Sequence, residues 1–353
     1  MSKIFVSIAC FCDKEIKNTI EDCLLKAKNP DDIIFGICLQ YDPEDDFLKE
    51  YDNKPQFRIK RIHWKEAKGP TYARYLISKL LENEEYFLQI DCHTRFFENW
   101  DVEVVSCLEE CNDPKAILTT FPIGIKNMDN KSLPLNKSTL KFHSLSKESI
   151  KLGAVCSNGG TCKKTYYLSA AFLFGNANFV REVKFDPYLT YSYQTIEQQF
   201  YAVRLFTNGW NLYMPSRHIL ATNYDKTPHY DSKNNRILAP SNVRRGKLSW
   251  QRVSYYYGLI TLDEVDDSVK ENIDLYGLGN TRTLEDFFKI HNEEGCIDKI
   301  KSGLKYNKGA WELENGVTIL ENKDISSKFT FKCSNPIFRK VINGNKKFML
   351  SKD

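Results

Sequence analysis

The sequence predicts an α/β protein with a mostly parallel central sheet. Over roughly the first third of the chain, apolar runs of strand length alternate with segments whose apolar residues recur at helical spacing. Strands that alternate with helices are typical of βαβ units, whose strands run parallel. Neither a G-x-G-x-x-G sequence nor a Walker sequence is present, so the dinucleotide-binding and P-loop folds lose their main support.

The spacing of apolar residues predicts the helices and strands of this region one after another. A strand at residues 4–9 is followed by a helix at 14–28, which Asn29-Pro30 ends. The next predicted elements are strands at 33–39 and 57–62, a helix at 71–81, a strand at 86–90, a helix at 102–111 and a strand at 117–121.

The middle of the chain continues the pattern with longer connections. Residues 126–139 are polar and predict a loop, and 151–164, with three glycines, predict a flexible lid or acceptor loop. The remaining predictions are a strand at 166–174, a helix at 196–207 that Asn208-Gly209 ends, a strand at 210–214, a loop at 222–245 and a helix at 248–262.

The character of the sequence changes beyond Gly277. A short helix is predicted at 283–291, and residues 311–331 alternate like a small hairpin set with a turn at Glu314-Asn315-Gly316. We therefore expect two units: residues 1–290, which carry the chemistry, and a C-terminal β-rich module at 291–353, an appendage without catalytic residues.

Composition excludes several classes of protein. The net charge of +4 is spread over 353 residues without a basic block, which argues against a nucleic-acid partner. No apolar run is long enough to span a membrane, and the N-terminus lacks the pattern of a signal peptide. The eleven cysteines are scattered singly, which favours reduced thiols and a cytoplasmic location.

The strand at 86–90 ends in Asp91-Cys92-His93, a D-x-H sequence. In open α/β sheets the ligand crevice lies at the carboxyl ends of the strands. A carboxylate and an imidazole at one point suit a divalent ion such as Mn²⁺. The alternative is an Asp that caps the next helix and a His that packs against Trp100. Alternation along the chain points Cys92 away from the flanking pair, which argues against a third, soft ligand there.

Several further segments, in order and spacing, resemble a family of GT-A-fold glycosyltransferases. This family transfers N-acetylglucosamine from UDP-GlcNAc to protein acceptors, and its best-known members modify a hydroxyproline on a ubiquitin-ligase adaptor in protists. The resemblance covers residues 3–288 and rests on FVSIA (5–9), NTIED (18–22), GICLQYDP (36–43), EAKGPTYAR (66–74), residues 86–95 with NWD (99–101), FDP (185–187), RLFTNG (204–209) and GLGNTRT (277–283).

The resemblance implies a GT-A, Rossmann-like fold and a metal-bound UDP-sugar donor. Asp91 and His93 would hold Mn²⁺, with Mg²⁺ as the other option, and the ion would bridge the UDP diphosphate. Asp91 would thereby also act in catalysis. Phe11 matches an aromatic position just after the first strand and would pack near uracil, although core packing is the rival interpretation.

The matched K-G-P-x-x-A-R segment implies further donor contacts. Lys68 and Arg74 would contact phosphate or hold Asp91, and Gly69-Pro70 would let the backbone approach the nucleotide. A salt bridge on the helix surface is the alternative for Arg74. Glu197 matches the first acid of a G-E-E stretch and would accept hydrogen bonds from sugar hydroxyls as a catalytic residue; its alternative is a favourable charge in the first turn of a helix.

Three positions depart from the family pattern. Cys12 stands where an Arg is expected, Gln198 replaces a second acid, and Thr222 occupies the position of an expected His. The third metal ligand would then be His229 or His218, or else the ion would keep more waters.

Together these residues predict a metal-dependent glycosyltransferase that transfers a sugar, GlcNAc from UDP-GlcNAc, to a hydroxyl of a protein or glycan. The resemblance implies retention of anomeric configuration. Because the matched residues include no obvious nucleophile, it also implies a front-face displacement. Two alternatives stay open: a transferase that uses another UDP-sugar, and a degenerate protein that binds nucleotide-sugar or glycan without turnover.

Overall fold

The computed structural model describes residues 2–129, 137–145, 150–157, 162–166, 168–191, 194–225, 229–230, 232–233, 235–238, 240, 243–290, 296–302, 304–307, 310–313 and 318–319. The strands within them are β1 (Ile4–Phe11), β2 (Ile33–Tyr41), β3 (Phe57–His63), β4 (Tyr86–Asp91), β5 (Thr94–Phe96), β6 (Ala116–Thr119), β7 (Ile123–Gly124), β8 (Lys137–Leu145), β9 (Ile150–Ser157), β10 (Lys163–Thr165), β11 (Phe172–Asn176), β12 (Asn211–Met214), β13 (Leu220–Thr222), β14 (His229–Tyr230), β15 (Arg236–Ile237), β16 (Leu304–Asn307), β17 (Ala310–Leu313) and β18 (Thr318–Ile319).

The α-helices of the described residues are α1 (Glu15–Lys26), α2 (Pro70–Ser78), α3 (Trp100–Glu109), α4 (Asn178–Glu182), α5 (Gln194–Thr207), α6 (Val243–Tyr256), α7 (Leu284–Ile290) and α8 (Cys296–Lys301). Short 3-10 turns lie at Pro30–Asp32, Lys49–Tyr51, Trp64–Glu66, Ile125–Asn127, Leu262–Glu264, Asp267–Val269 and Ile273–Tyr276. No helix in this part of the chain combines the length and the apolar character needed to cross a membrane.

An eight-stranded sheet lies at the centre, with the order β10-β12-β6-β11-β4-β1-β2-β3. The four strands from β4 to β3 are parallel, as predicted. Strand β11 is antiparallel to both β4 and β6, so the sheet is mixed beyond β4. Ala9 of β1 pairs with Asp91 of β4. The residues that follow these two strands therefore meet at one edge of the sheet.

Helices cover both faces of this sheet. Ile16 and Ile20 of α1 pack with Trp100 of α3 on one face. Ala73 and Ile77 of α2, together with α4 and α5, pack on the other. A parallel sheet needs both faces covered because its strands are apolar on both sides. The α/β prediction is confirmed.

Close packing between β1 and β2 depends on a glycine. A Cβ atom added to Gly36 would lie only 1.9 Å from Cζ of Phe5, so the Phe5 ring occupies the space of a side chain at Gly36. The ring also stacks on Phe87 of β4 at a centroid distance of 5.7 Å. This stack fixes the relative position of the strands that lead to the carboxyl edge.

The strand predicted at 166–174 is wrong in its first half, since only β11, which begins at Phe172, is strand there. Ser169 N donates to Oγ1 of Thr119 at 2.8 Å, and the Ser169 hydroxyl accepts from Ala171 N at 3.3 Å. The long-range bond to Thr119 and the local bond to Ala171 replace ladder pairing at this position. Tyr167 lies outside the described residues.

The boundaries of the helix predicted at 248–262 also differ from the prediction. Helix α6 ends at Tyr256 instead of residue 262 because Gly258 adopts a left-handed φ of 67° that stops it. The stretch predicted as a loop, 222–245, contains the short strands β14 and β15 and the start of α6.

A five-stranded sheet, with the order β18-β17-β16-β8-β9, joins the middle of the chain to its end. The end of the predicted loop at 126–139 is thus the start of β8, and the predicted lid at 151–164 contributes most of β9 and, in the eight-stranded sheet, part of β10. Residues 130–136 and 158–161 lie outside the described residues. The predicted turn at 314–316 and everything beyond 319 also lie outside them. The boundary at residue 290 stays a prediction.

Candidate active site

Asp91 and Cys92 leave β4 on opposite faces of the sheet. Phe87 and Gln89 point, like Asp91, toward α2 and α5, whereas Leu88 and Cys92 pack toward α1. This is the period-two alternation of a strand. Cys92 is thus turned away from Asp91, as predicted, but the prediction is wrong for His93, since Sγ of Cys92 lies 3.7 Å from Nδ1 of His93.

Hydrogen bonds of Thr19 and Thr94 hold the turn after β4 in place. The Thr19 hydroxyl of α1 donates to the Cys92 carbonyl at 2.8 Å and accepts from Thr94 N at 2.9 Å. The Thr94 hydroxyl donates to the Asp91 carbonyl at 2.8 Å. These bonds hold the backbone that carries Asp91 and His93 before any ligand arrives.

His93 lies between two carboxylates. Its Nδ1 is 3.0 Å from Oδ2 of Asp13, and its Nε2 is 4.0 Å from Oδ2 of Asp91. The hydrogen bond to Asp13, followed by the contact with Cys92, raises the pKa of His93 from its ordinary 6.5 to about 11. The imidazole is therefore protonated at neutral pH unless another cation takes the place of its proton.

Asp13 was not a sequence candidate, although the fold places it at the site. Cys12 turns the chain after β1 with a left-handed φ of 51°, and Asp13 Oδ1 then accepts from Glu15 N at the start of α1. An Asp two residues before a helical run indicates a cap. The signal that it also serves the site is its position after β1, the strand that pairs with β4.

Cys92 completes a group of metal-ligating atoms. In the described part of the chain, Asp13, Cys92 and His93 offer donor atoms that all lie within 4.8 Å of one another. The hydrogen bond with Cys10 and burial raise the pKa of the Cys92 thiol well above its usual value. A thiol is a poor ligand compared with a thiolate, so Cys92 is a neighbour of the site.

Arg74 of α2 and Glu197 of α5 form a buried ion pair behind Asp91. Their side chains are 6% and 9% exposed, respectively, which argues against the surface salt bridge considered for Arg74. Burial lowers the pKa of Arg74 to about 10, while the nearby Asp91 charge opposes that shift. Arg74 thus stays charged at neutral pH, with one carboxylate on each side of it.

The other predicted donor residues lie around the start of α2 and the end of β1. Gly69 adopts a φ of 96° that other residues rarely reach, and Pro70 is the first residue of α2. Lys68 is exposed, with its Nζ 4.9 Å from the centre of the Tyr72 ring. Phe11 is the last residue of β1 and is partly buried.

The segment that follows β12 brings Thr222 to the site and takes His218 away from it. Asn223 N donates to the His93 carbonyl at 2.9 Å, and Thr222 Oγ1 is 3.5 Å from the same oxygen. His218 instead stacks on Phe97, at a centroid distance of 6.1 Å. The alternative ligand His218 is therefore turned to Phe97, whereas the backbone of His229 belongs to β14 and its side chain lies outside the described residues.

Tyr224 is a further residue of the site that sequence reasoning missed. Its hydroxyl donates to the Pro122 carbonyl at 2.7 Å. Although Tyr224 is 58% exposed as a whole, burial around its hydroxyl, and then the negative charge of Asp91, raise its pKa to about 12. Tyr224 is thus a neutral neighbour of Asp91.

Comparison with known proteins gives one family and a set of similar folds. A family model described as Glycosyltransferase (GlcNAc) matches residues 3–54 and 47–293. No curated protein matches the sequence.

Two solved structures are similar to the chain. One is GalNAc-T7 with UDP, GalNAc and Mn²⁺, at 12% identity and a TM-score of 0.55 over 86% of this chain and 57% of that one. The other is S. aureus TarS 1–349 in complex with UDP-GlcNAc, at 12% identity and a TM-score of 0.43 over 91% of this chain and 100% of that one. The chain thus spans little more than half of the GalNAc-T7 chain, and that likeness supports the predicted GT-A fold.

Proposed function

The chain belongs to the GlcNAc glycosyltransferase family, and from this we propose that it transfers N-acetylglucosamine from UDP-GlcNAc to a hydroxyl of a protein or glycan, with retention. The observation that carries the proposal is the position of His93 between Asp13 and Asp91 at the carboxyl edge of the sheet. The donor, the acceptor and the stereochemistry are proposals beyond the family assignment. We propose no nucleic-acid partner.

The residues of this edge fit a divalent ion. With Nδ1 engaged by Asp13, Nε2 is the imidazole nitrogen that faces the Asp91 carboxylate. A carboxylate and an imidazole suit Mn²⁺, and a second carboxylate on the far ring nitrogen is the usual partner of a metal-binding His. We therefore assign Asp91 and His93 as ligands, with His229 as the candidate third. A bound ion would supply Lewis-acid stabilisation of the negative charge on the departing diphosphate.

We assign Arg74 to positioning Asp91 and Glu197 to binding the donor sugar. The ion pair joins α2 to α5, and Arg74 in turn lies near Asp91. Arg74 therefore serves to position the Asp91 carboxylate by charge attraction. Glu197 lines a small cavity with Arg74 and Gln89, and we propose that it accepts hydrogen bonds from sugar hydroxyls of the donor.

Lys68, Gly69, Pro70 and Phe11 complete the proposed donor site. The positive φ of Gly69 lets the backbone before α2 approach a ligand without a Cβ. Lys68 reaches solvent at this position and can meet a phosphate as a point charge. Phe11, at the end of β1, would pack beside the base.

The proposed reaction needs no side-chain nucleophile. The bond between the sugar C1 and the diphosphate oxygen breaks, the acceptor oxygen bonds to C1 on the same face, and the acceptor proton passes to the departing phosphate. The chain's part is to hold the acceptor hydroxyl beside the departing diphosphate on one face of the sugar and to exclude water, which can lower the barrier by about 7–11 kcal/mol.

A second candidate function has one observation in its favour. Thr222 lies beside His93 where the resemblance expects a His, so the ion would bind with fewer protein ligands. A protein that binds nucleotide-sugar without turnover would tolerate this better than an enzyme would.

Release of UDP from a panel of UDP-sugars tests the proposal. Wild type and His93→Ala are incubated with each sugar and with Mn²⁺, Mg²⁺ or EDTA. We expect slow hydrolysis of UDP-GlcNAc that depends on Mn²⁺ and disappears in the variant. Hydrolysis of a different UDP-sugar alone would show that the proposed donor is wrong. Binding of UDP-GlcNAc without hydrolysis or transfer to any acceptor would favour the second candidate, a protein that binds nucleotide-sugar without turnover.

A further inference from the structure

A pocket rich in tyrosine lies beside the Arg74–Glu197 cavity. We call it the tyrosine pocket and define it by Tyr72, Tyr75, Tyr188, Tyr191, Lys68 and Arg245. All four tyrosines are partly exposed in it. Half-buried tyrosines that converge on one pocket are typical of binding sites, since the ring packs and the hydroxyl stays available.

The tyrosine pocket and the cavity are separated by two shared walls. One wall is helix α2, which presents Thr71 and Arg74 to the cavity and Tyr72 and Tyr75 to the pocket. The other is the segment at residues 185–191, which lines the cavity with Phe185, Asp186 and Leu189 and the pocket with its remaining residues. A ligand in the pocket would therefore lie next to the Arg74–Glu197 cavity, and it would share Lys68 with the proposed donor site.

The wall formed by residues 185–191 contains a strained residue. Tyr191 has a φ of 54°, a left-handed conformation that a bulky side chain rarely adopts. Its backbone N donates to the Lys68 carbonyl at 2.6 Å, and the Ser249 hydroxyl donates to the Thr190 carbonyl at 2.7 Å. The surrounding structure thus imposes the conformation that places Tyr191 in the pocket, and such imposed strain is concentrated at binding sites.

Tyr188 is held in place before a ligand binds. The Arg252 guanidinium lies 4.8 Å from the centre of its ring, and Nδ2 of Asn272 donates to its hydroxyl at 2.9 Å. Arg252 is itself fully buried and bonded to Asp186 at 2.7 Å. A ring fixed in this way loses little entropy when a ligand stacks on it.

The charge of the pocket is positive. Lys68 and Arg245 line it, and none of its lining residues in the described part of the chain is Asp or Glu. Carboxylates stand nearby. Asp266 accepts from Ser268 N at 2.9 Å, Asp267 pairs with Lys270 at 2.8 Å, and Glu271, beside the Tyr188 hydroxyl, accepts from Nδ2 of Asn272 at 3.5 Å. The lining therefore favours an anionic ligand.

We propose that the tyrosine pocket binds an acidic oligosaccharide segment of the acceptor, one that carries carboxylate groups. Sugar rings have apolar C–H faces that pack on aromatic rings, and their hydroxyls match tyrosine, serine and threonine side chains. Arg245 would meet the carboxylates, and the four rings favour a saccharide over an acidic peptide. The assignment to the acceptor rests on the proposed transferase function, whereas the binding itself does not.

Calorimetry on the full chain tests the proposal with three probes. They are a hyaluronan tetrasaccharide, uncharged chitotetraose of the same length, and a short glutamate peptide. The variants are Arg245→Gln and Tyr72→Ala. The control is Lys54→Gln, because Lys54 lies over the Tyr51 ring at 4.7 Å, before the amino end of β3.

We expect hyaluronan to bind more tightly than chitotetraose. Arg245→Gln should weaken hyaluronan binding about three- to fivefold, as for one exposed ion pair. Tyr72→Ala should weaken binding of both saccharides, and Lys54→Gln should change neither. Equal binding of the two saccharides, tighter binding of the peptide, variants that bind like wild type, or no saccharide binding would overturn the proposal.

Binding of UDP with Mn²⁺ is measured on the same samples, so that failure of the pocket proposal can be told apart from failure of the proposed transferase function. UDP binding without saccharide binding overturns the pocket proposal alone. Saccharide binding without UDP binding overturns the proposed donor and leaves the pocket as a saccharide site.

Discussion

Nδ1 of His93 lies 3.0 Å from Oδ2 of Asp13, and this contact directs the opposite ring nitrogen toward Asp91. Two strands that pair in parallel, β1 and β4, supply the two sides of the arrangement. The chain thus contains a carboxylate–imidazole–carboxylate series at the edge where open α/β sheets bind ligands.

Replacing Asp13 tests its role as a positioning residue. Asp13→Asn keeps the shape but weakens the hold on the His93 ring, so Mn²⁺ affinity should fall about 10- to 100-fold, as for other partners of a metal-bound His. Calorimetry with Mn²⁺ measures the change, and Asp31→Asn, an exposed carboxylate at the 3-10 turn before β2, is the control. Unchanged affinity in Asp13→Asn would show that the ring does not depend on this contact.

The pH dependence of the metal-free protein follows from the pKa of His93. Because the folded-state pKa, about 11, lies above the ordinary 6.5, protonated His93 stabilises the fold fully below pH 6.5. This contribution is lost as the pH rises toward 11. We expect the difference in Tm between wild type and His93→Gln, measured in EDTA, to be largest near pH 6 and to decrease steadily as the pH is raised to 10. A difference that grows with pH would contradict the ionic contact with Asp13.

Metal binding should have the opposite dependence on pH. Mn²⁺ must replace the proton on His93, so its affinity should rise with pH across the neutral range. Titrations of wild type at several pH values measure this. His93→Ala should bind weakly with a much smaller pH dependence, and a wild-type affinity that is constant with pH would argue that His93 is not a ligand.

The Arg74–Glu197 pair predicts a difference between stability and activity. Arg74→Met leaves Glu197 buried and unpaired, which should lower the free energy of unfolding by about 3–5 kcal/mol. Adding Glu197→Leu should recover most of this loss in urea denaturation, but UDP release should stay lost. Recovery of activity in the double variant would show that the pair serves packing alone.

Gly36 and Phe5 offer a test of packing away from the site. Gly36→Ala should cost about 1–3 kcal/mol of unfolding free energy because the new methyl group meets the Phe5 ring. Combining it with Phe5→Leu should cost less than the sum of the single losses, and urea denaturation of the four proteins measures the coupling. Additive losses would show that the ring does not occupy the space above Gly36.

The sequence predicted the parallel half of the fold and the position of Asp91 and His93, because apolar runs and the ends of parallel strands follow directly from local pattern. It did not predict that Asp13 lies at the site, because an Asp just before a helix is already explained by helix capping. The turn at Ser169 was missed because its hydrogen bonds join residues distant in sequence, such as Thr119. The ion pair of Arg74 with Glu197 likewise joins two helices that only the fold brings together.

The sequence alone did not predict that Tyr224 lies at the site or that His218 lies away from it, because both depend on long-range strand pairing. Strand β13 pairs with β5 so that Thr222, not His218, lies beside the turn after β4. Register of this kind depends on long-range pairing, and a shift of one residue would reverse the side chains.

We propose that Asp91 and His93 bind a divalent ion and that this ion in turn binds UDP. Binding of UDP in the presence and absence of Mn²⁺, by calorimetry on wild type, Asp91→Ala and His93→Ala, tests it most directly. We predict that wild type binds UDP only with Mn²⁺ and that each variant loses this dependence together with most of the affinity. Equal binding of UDP by wild type and both variants, with or without Mn²⁺, would contradict the account.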